Sequence, residues 1–159
     1  RWLVGGAVIE GADGVLLVQN RRRDGRVDWS PPGGVIDDGE SVLDGLAREV
    51  REETGLVVTS WEGPVYSIEA EAPGLGWTLK VEVHRALAYE GELVVDDPDG
   101  IVVDAQFVAP AVCADHLTDG HPWVREPLVE WLGERWAGTR GFGYRVEGDD
   151  PAGLTVSRL

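Results

Sequence analysis

The chain has 159 residues, a length that accommodates one domain with a sizeable core and leaves little room for a second. A hydrophobic content of 43% with seven Trp residues indicates a packed globule, and no apolar run is long enough to span a membrane. The net charge of −15 disfavours extended contact with nucleic acid, because such contact depends on Lys and Arg side chains that neutralise phosphates.

The N-terminal segment predicts a β-hairpin that leads into a basic stretch. Two apolar strands and their connecting turn are expected at residues 2–10, 15–19 and 11–14, respectively. Residues 21–23 are three consecutive arginines at the end of the second strand. We expect at least one of them, Arg21, to face an anionic ligand, whereas a solvated loop is the alternative for each. Residues 24–28 predict a polar loop.

The next stretch, residues 29–34, reads WSPPGG and predicts a rigid loop close to a ligand. The two prolines stiffen the backbone, and Gly33 and Gly34 let it pass near a bound group. Gly34 can present its carbonyl oxygen to a metal ion. Trp29 is a candidate for stacking on a nucleobase, and a core position beside the loop is the alternative.

Residues 41–55 predict a helix with defined ends. Ser41 is a favourable N-cap with Asp44 three residues later, and Gly55 suits the left-handed turn after the last helical residue. One apolar stripe is formed by Leu43, Leu46, Ala47 and Val50.

Three glutamates on this helix predict a metal site. Glu49, Glu52 and Glu53 stand at positions i, i+3 and i+4, so their side chains share one face and repel one another. Hard divalent cations such as Mg²⁺ bind carboxylate oxygens together with substrate phosphates. A solvated helix face is the usual reading of such a charge run, but the preceding Gly-rich loop favours a site for Mg²⁺ or Mn²⁺.

The remainder of the chain predicts further strands and a second long helix. Strands are expected at residues 56–61, 64–72, 78–89 and 101–109, and an acidic loop at residues 90–100. Residues 110–117 predict a short helical turn. Pro127 is tolerated best in a first turn, so the second helix is expected to begin near Glu126. The tail, residues 137–159, is expected to pack on the domain, to contribute to a dimer, or to be partly mobile.

The spacing of residues 34–56 resembles the motif of the Nudix hydrolases. Gly34, Glu40 and the run REVREETGL from Arg48 fill its fixed positions. The resemblance implies an α/β fold, a Nudix-type α/β/α sandwich with a mixed sheet, over residues 1–136. It also implies metal-dependent hydrolysis of a nucleoside diphosphate linked to another group.

The resemblance further implies roles for individual residues. Glu49, Glu52, Glu53 and the carbonyl of Gly34 would bind the metal. Arg48 would hold the glutamates through ion pairs, and Glu40 would steady the corner before the helix or bind an outer metal. The general base would be Glu52 or an acid of the 90–104 segment, Asp99 first and Asp97 second. Substrate contacts are expected from Arg21, Trp29 and Gly33.

The substrate is expected to be a small nucleotide, and several identities stay open. A nucleoside triphosphate removed as damaged or unwanted is favoured, and ADP-ribose or a nucleotide sugar is the alternative. A nucleotide-sensing module without catalysis belongs to another class, but such modules typically lose motif glutamates that are all present here. The single cysteine, Cys113, excludes an internal disulfide and predicts a cytoplasmic location. A monomer or a homodimer is expected.

Overall fold

The computed structural model describes residues 1–159. Its ten strands are β1 (Trp2–Val8), β2 (Glu10–Gly11), β3 (Gly14–Arg21), β4 (Val27–Ser30), β5 (Gly33–Val35), β6 (Val57–Ala72), β7 (Trp77–Glu90), β8 (Val102–Val108), β9 (Arg140–Glu147) and β10 (Thr155–Arg158). Its three α-helices are α1 (Val42–Thr54), α2 (Pro110–His116) and α3 (Pro122–Glu134). None of these helices has the length and apolar character needed to cross a membrane.

The strands form two sheets. The larger sheet has six strands in the order β10-β9-β6-β7-β1-β5, in which β1 and β7, and also β6 and β9, run parallel while the other neighbours are antiparallel. The smaller sheet is built around β3, which pairs with β2, β4 and β8. The chain passes directly from β1 of the larger sheet to β2 and β3 of the smaller sheet.

Two apolar cores lie on opposite faces of the larger sheet. Ala7 belongs to the core under α1 with Leu46 and Val50, whereas the next residue, Val8, belongs to the core under α2 and α3. This alternation is expected, because successive strand side chains point to opposite faces. The arrangement confirms the predicted α/β/α sandwich with a mixed sheet.

The ends of α1 form as predicted. Ser41 Oγ accepts a hydrogen bond from Asp44 N at 3.1 Å, and Gly55 adopts a φ of 79° with its N–H donating to Arg51 O. The predicted apolar stripe needs one correction, since Leu43 is 39% exposed. The buried side of the helix is instead completed by Glu53 and Thr54.

Three further predictions were wrong at the level of element boundaries. The polar loop at residues 24–28 ends early, because Val27 and Asp28 pair with β3 as the start of β4. The strands expected at residues 56–61 and 64–72 are one long strand, β6, whose register shifts between Glu62 and Tyr66. Helix α3 begins at Pro122 and not near Glu126.

The early start of α3 has a physical cause. Pro122 occupies the first helical position, where its fixed φ and missing N–H are compatible with a helix. Pro127 lies inside the helix and costs it one backbone hydrogen bond. The helix persists because it buries Trp123, Leu128 and Trp131 against the sheet.

The tail extends the larger sheet. Strand β9 pairs in parallel with β6, and β10 pairs with β9 at the edge of the sheet. Phe142, Tyr144 and Val146 of β9 belong to the core under α2 and α3. Of the three alternatives for residues 137–159, this structure therefore has the tail packed on the domain.

Candidate active site

Arg48 is the centre of an ion-pair cluster on α1. Its Nε and Nη2 donate to the two carboxylate oxygens of Glu40, each at 2.9 Å. Its Nη1 donates to Glu49 Oε1 at 3.2 Å and to Glu52 Oε2 at 3.3 Å. One guanidinium thus orients three carboxylates, because its planar fork offers several donors in fixed directions. Ion pairs from Arg48 to Glu49 and Glu52 were expected from the motif; the pair with Glu40 was not, and Arg48 makes no contact with Glu53.

Glu53 points in another direction, toward the Gly-rich loop. Its side chain is buried, and its Oε1 accepts a hydrogen bond from the backbone N–H of Gly33 at 2.8 Å. Burial, with the nearby charges of Glu49, Asp97 and Glu52, raises the pKa of Glu53 to about 8 despite the Gly33 donor. A carboxylate in this position is stabilised in its charged form by a cation.

Glu49 lies directly against Gly34 on β5. A Cβ atom placed on Gly34 would come within 2.7 Å of Glu49 Cδ, so any side chain at this position would force the Glu49 carboxylate to move. Burial raises the pKa of Glu49, and the charges of Glu52 and Asp99 act in the same direction, while Arg48 opposes them. The structure therefore brings Gly34, Glu49, Glu52 and Glu53 to one end of α1.

The donor set fits a hard divalent cation. Carboxylate oxygens and a glycine carbonyl are the ligand types that Mg²⁺ and Mn²⁺ prefer. The pKa values of Glu49 and Glu53 are raised, and a bound cation would lower them. In the present conformation no three acidic side chains converge as a ligand group, since Arg48 engages Glu49 and Glu52 while the Gly33 N–H engages Glu53. Metal binding at these residues requires side-chain reorientation of the glutamates.

The acidic loop after β7 approaches the same site. Asp97 is committed to the loop itself, because its carboxylate accepts hydrogen bonds from the N–H groups of Asp99, Ile101 and Val102 at 3.1, 3.1 and 2.9 Å. The Asp99 carboxylate is exposed and has no hydrogen bond within the protein. Of the two acids, Asp99 is therefore the one free to take part in chemistry.

A cavity of about 630 Å³ adjoins the Gly-rich loop. It lies between the larger sheet and the start of α3, and Gly33 and Gly34 form part of its wall. Its aromatic lining consists of Trp2, Tyr66, Trp77, His121 and Trp123, and its polar lining includes Asn20, Arg22, Arg26, Asp28, Ser30 and Asp119. The predicted loop at residues 29–34 is thus shorter than expected, since Gly33 and Gly34 begin β5, and the cavity and the glutamates share these two glycines.

Two of the predicted substrate contacts do not line this cavity. Arg21 and Trp29 are absent from its wall, whereas their neighbours Arg22 and Ser30 are part of it. Trp29 packs against the core, with its ring edge-on to His116 at a centroid separation of 5.6 Å. The sequence indicated that Arg22, and not Arg21, lies on the same side as Asn20. Residues two apart on a strand share a face, and Arg22 stands two positions after Asn20 at the end of β3.

Gly34 offers a direct test of the metal site. Gly34→Ala is expected to weaken Mg²⁺ binding by roughly 10- to 100-fold, because the new methyl group displaces the Glu49 carboxylate from its position. The Mg²⁺ concentration that gives half of the maximal thermal stabilisation measures this change. Gly133→Ala is the matched control, since a Cβ at Gly133 meets no atom within 4 Å. Equal Mg²⁺ dependence of the two variants would contradict a metal site at Gly34 and Glu49.

The free energy of unfolding is expected to depend on pH through the carboxylate of Glu40. The Arg48 guanidinium and the Asp37 N–H lower the pKa of Glu40 from 4.5 to about 2. The unfolded chain therefore binds the proton first, and the contribution of Glu40 is complete above pH 4.5 and is lost as the pH falls toward 2. We expect Glu40→Gln to lower the free energy of unfolding at pH 7 and to match the parent near pH 2.

Urea unfolding at a series of pH values checks this expectation. Glu90→Gln is the control, because Glu90 is exposed and has no ion-pair partner. A Glu40→Gln deficit that is the same at pH 7 and at pH 2.5 would show that the lost stability does not come from the charged form of Glu40.

The comparison with known families decides the identity of the fold. The model of the NUDIX domain matches residues 2–132, which is most of the chain. The chain belongs to the Nudix family. Its glutamate cluster, Arg48 and Gly34 are the Nudix motif residues in three dimensions, and β9 and β10 lie beyond the matched region.

Individual Nudix relatives resemble parts of the chain. The 8-oxo-dGDP phosphatase of Mus musculus is 34% identical over 73 residues, which are 46% of this chain and 21% of that protein. The oxidized purine nucleoside triphosphate hydrolase of Danio rerio is 34% identical over 83 residues, 52% of this chain and 53% of that one. The alignments thus span from about a fifth to about half of these relatives.

A solved structure resembles the whole chain. The mutator MutT protein of Bacillus halodurans superposes with a TM-score of 0.67, with coverage of 99% of this chain and 97% of that one, at 22% identity. At that identity the similarity establishes the fold. The superposed region, at 99% of this chain, also includes β9 and β10.

Proposed function

We propose that this Nudix chain is a Mg²⁺- or Mn²⁺-dependent pyrophosphohydrolase whose substrate is a nucleoside triphosphate, including oxidised purine nucleotides. The observation that carries the proposal is the shared start of β5: Gly33 and Gly34 line the aromatic cavity and also contact Glu53 and Glu49. A nucleoside in the cavity places its phosphates at the glutamates. The names of the two curated relatives support the oxidised purine class.

Glu49, Glu52, Glu53 and the carbonyl of Gly34 are the proposed metal ligands. A bound divalent cation would neutralise the phosphate charge and polarise the phosphorus toward attack. The chain itself has a strongly negative charge of −15, so this local neutralisation is required for an anionic substrate. Arg22 and Arg26 at the cavity wall are paired with Asp28 and Asp24, so the cation is the main source of local positive charge in this proposal.

Glu52 is the proposed general base, with Arg48 as its positioning partner. Water adds to a phosphorus atom and transfers a proton to the Glu52 carboxylate, while the bond from that phosphorus to the bridging oxygen breaks and the leaving group keeps this oxygen. Arg48 Nη1 at 3.3 Å from Glu52 Oε2 orients the carboxylate. Asp99 is the second candidate base, because its carboxylate is free of hydrogen bonds.

A turnover screen tests the proposal. Purified protein with Mg²⁺ or Mn²⁺ is incubated with nucleoside triphosphates, oxidised triphosphates, ADP-ribose, nucleotide sugars and dinucleoside polyphosphates. We expect the greatest kcat/KM on a triphosphate or an oxidised purine nucleotide. Nucleotide binding without turnover of any compound would favour a nucleotide-sensing module instead, and preferential cleavage of ADP-ribose would move the substrate to the alternative class.

The cellular setting is part of the same proposal. The buried thiol of Cys113, the sole cysteine, is compatible with a reducing cytoplasm. The acidic surface disfavours nucleic acid as a partner. Light scattering after gel filtration distinguishes the two expected states, a monomer and a homodimer.

A further inference from the structure

Asn20 is a buried amide in the wall of the cavity. It lies on β3, it is 6% exposed, and its side chain lines the cavity. Its Nδ2 donates to Asp28 Oδ1 at 3.1 Å and to Ser30 Oγ at 2.9 Å, both on the paired strand β4. Both protons of the amide are therefore used within the protein.

The orientation of this amide is fixed by its neighbours. An ionised carboxylate only accepts hydrogen bonds, so the nitrogen of Asn20, and not its oxygen, must face Asp28. Arg22 holds Asp28 in place by donating from Nε and from Nη2, each at 2.8 Å. A rotated amide would place two acceptors against each other.

The consequence is an unused acceptor in the cavity. Asn20 Oδ1 has no hydrogen-bond partner within the protein. It is not fully enclosed, because Trp131 Nε1 is the single fully enclosed side-chain nitrogen or oxygen atom that lacks a partner. Oδ1 therefore retains access to the cavity space that Asn20 lines. The same wall carries aromatic rings next to the polar side chains of Asp28 and Ser30 that fix the Asn20 amide.

We propose that Asn20 Oδ1 is a specificity-determining acceptor that selects a nucleobase by an N–H or NH₂ group on its edge. This inference rests on the proposed function, which places the nucleoside in this cavity, and adds the residue that reads the base. A base without a donor at that point leaves a desolvated acceptor unpaired, and such a loss is a strong source of discrimination.

Matched pairs of nucleotides isolate single donors. GTP and ITP differ in the 2-amino group, ATP and purine riboside triphosphate differ in the 6-amino group, and 8-oxo-dGTP carries an N7–H where dGTP has an acceptor. Binding is followed by quenching of tryptophan fluorescence with Ca²⁺ supplied in place of Mg²⁺, since Ca²⁺ also takes oxygen ligands; Trp2, Trp77 and Trp123 report from the cavity wall. In at least one pair we expect the donor-bearing member to bind roughly 10- to 100-fold more tightly.

Variants assign that preference to Asn20. Asn20→Leu is expected to bring the two members of the pair within about twofold of each other, since the acceptor is removed at similar volume. Asp28→Asn is a second variant that leaves Asn20 in place but allows its amide to rotate, and it is expected to reduce the preference. Gln19→Met is the control, because Gln19 lies outside the cavity wall and should retain the preference of the parent.

The outcomes separate this inference from the proposed function. Equal binding within all three pairs, or an Asn20→Leu variant that keeps the preference, would overturn the role of Asn20 even if nucleotides are hydrolysed. A base preference that depends on Asn20 in a protein without turnover would support the role of Asn20 and contradict only the hydrolase assignment. Absence of nucleotide binding would overturn both.

Discussion

Glu52→Gln is expected to lower kcat by about 100- to 10,000-fold, the range that removal of a general base produces. The amide has nearly the same shape as the carboxylate, but it neither accepts a proton from water nor carries the charge that a divalent cation needs. Glu52 is partly exposed at the end of α1 and is oriented by Arg48 Nη1 at 3.3 Å. Steady-state kinetics at saturating Mg²⁺ measure the loss on the best substrate of the screen.

The control is Asp44→Asn, which removes one negative charge from the same helix at its exposed first turn. It should leave kcat within about twofold, because surface charges far from a site are worth little. Asp99→Asn identifies the competing base: if it reduces kcat as far as expected for Glu52→Gln, while Glu52→Gln retains most of the activity, the base assignment moves to Asp99.

The motif could be predicted from sequence because its geometry is local. The spacing of Glu49, Glu52 and Glu53 follows from one helix, and the Ser41 cap and Gly55 end follow from rules that act within a few residues. The ion pairs of Arg48 with Glu49 and Glu52 were likewise expected, whereas its pair with Glu40 was not. These parts of the site do not depend on distant segments of the chain.

The cavity could not be predicted, because it is assembled from segments far apart in sequence. Its lining combines Trp2, Asn20, Trp77 and Trp123, and nothing local to any of these residues specifies the others. Arg21 was expected at the cavity in place of Arg22. Which of two successive side chains faces the cavity depends on where β3 ends and on how it pairs with β4. The start of α3 was misplaced for a related reason: burial of Trp123 and Trp131 outweighs the local cost of Pro127.

Removal of residues 137–159 is expected to prevent folding of the remaining chain at 25 °C, although this segment lies outside the matched family region. The deletion removes three buried side chains of β9: Phe142, Tyr144 and Val146. Burial of one large aromatic side chain is worth roughly 3–5 kcal/mol in truncation experiments, and the total stability of a domain is about 5–15 kcal/mol. The loss of a strand with two such aromatic side chains and the buried Val146 therefore removes most or all of that stability.

A single substitution provides the graded version of this test. Tyr144 is fully buried, its hydroxyl donates to Glu126 Oε1 at 2.8 Å, and its ring lies edge-on to Trp123, a cavity residue. Tyr144→Ala is expected to cost roughly 3–5 kcal/mol in urea unfolding and to weaken nucleotide binding at temperatures where the variant is folded. Leu159→Ala, at a side chain that is 79% exposed, should change stability by less than about 0.5 kcal/mol. A chain truncated after Trp136 that unfolds cooperatively at the parent's urea midpoint would instead make the tail an accessory, because β6 would then be stable as an edge strand.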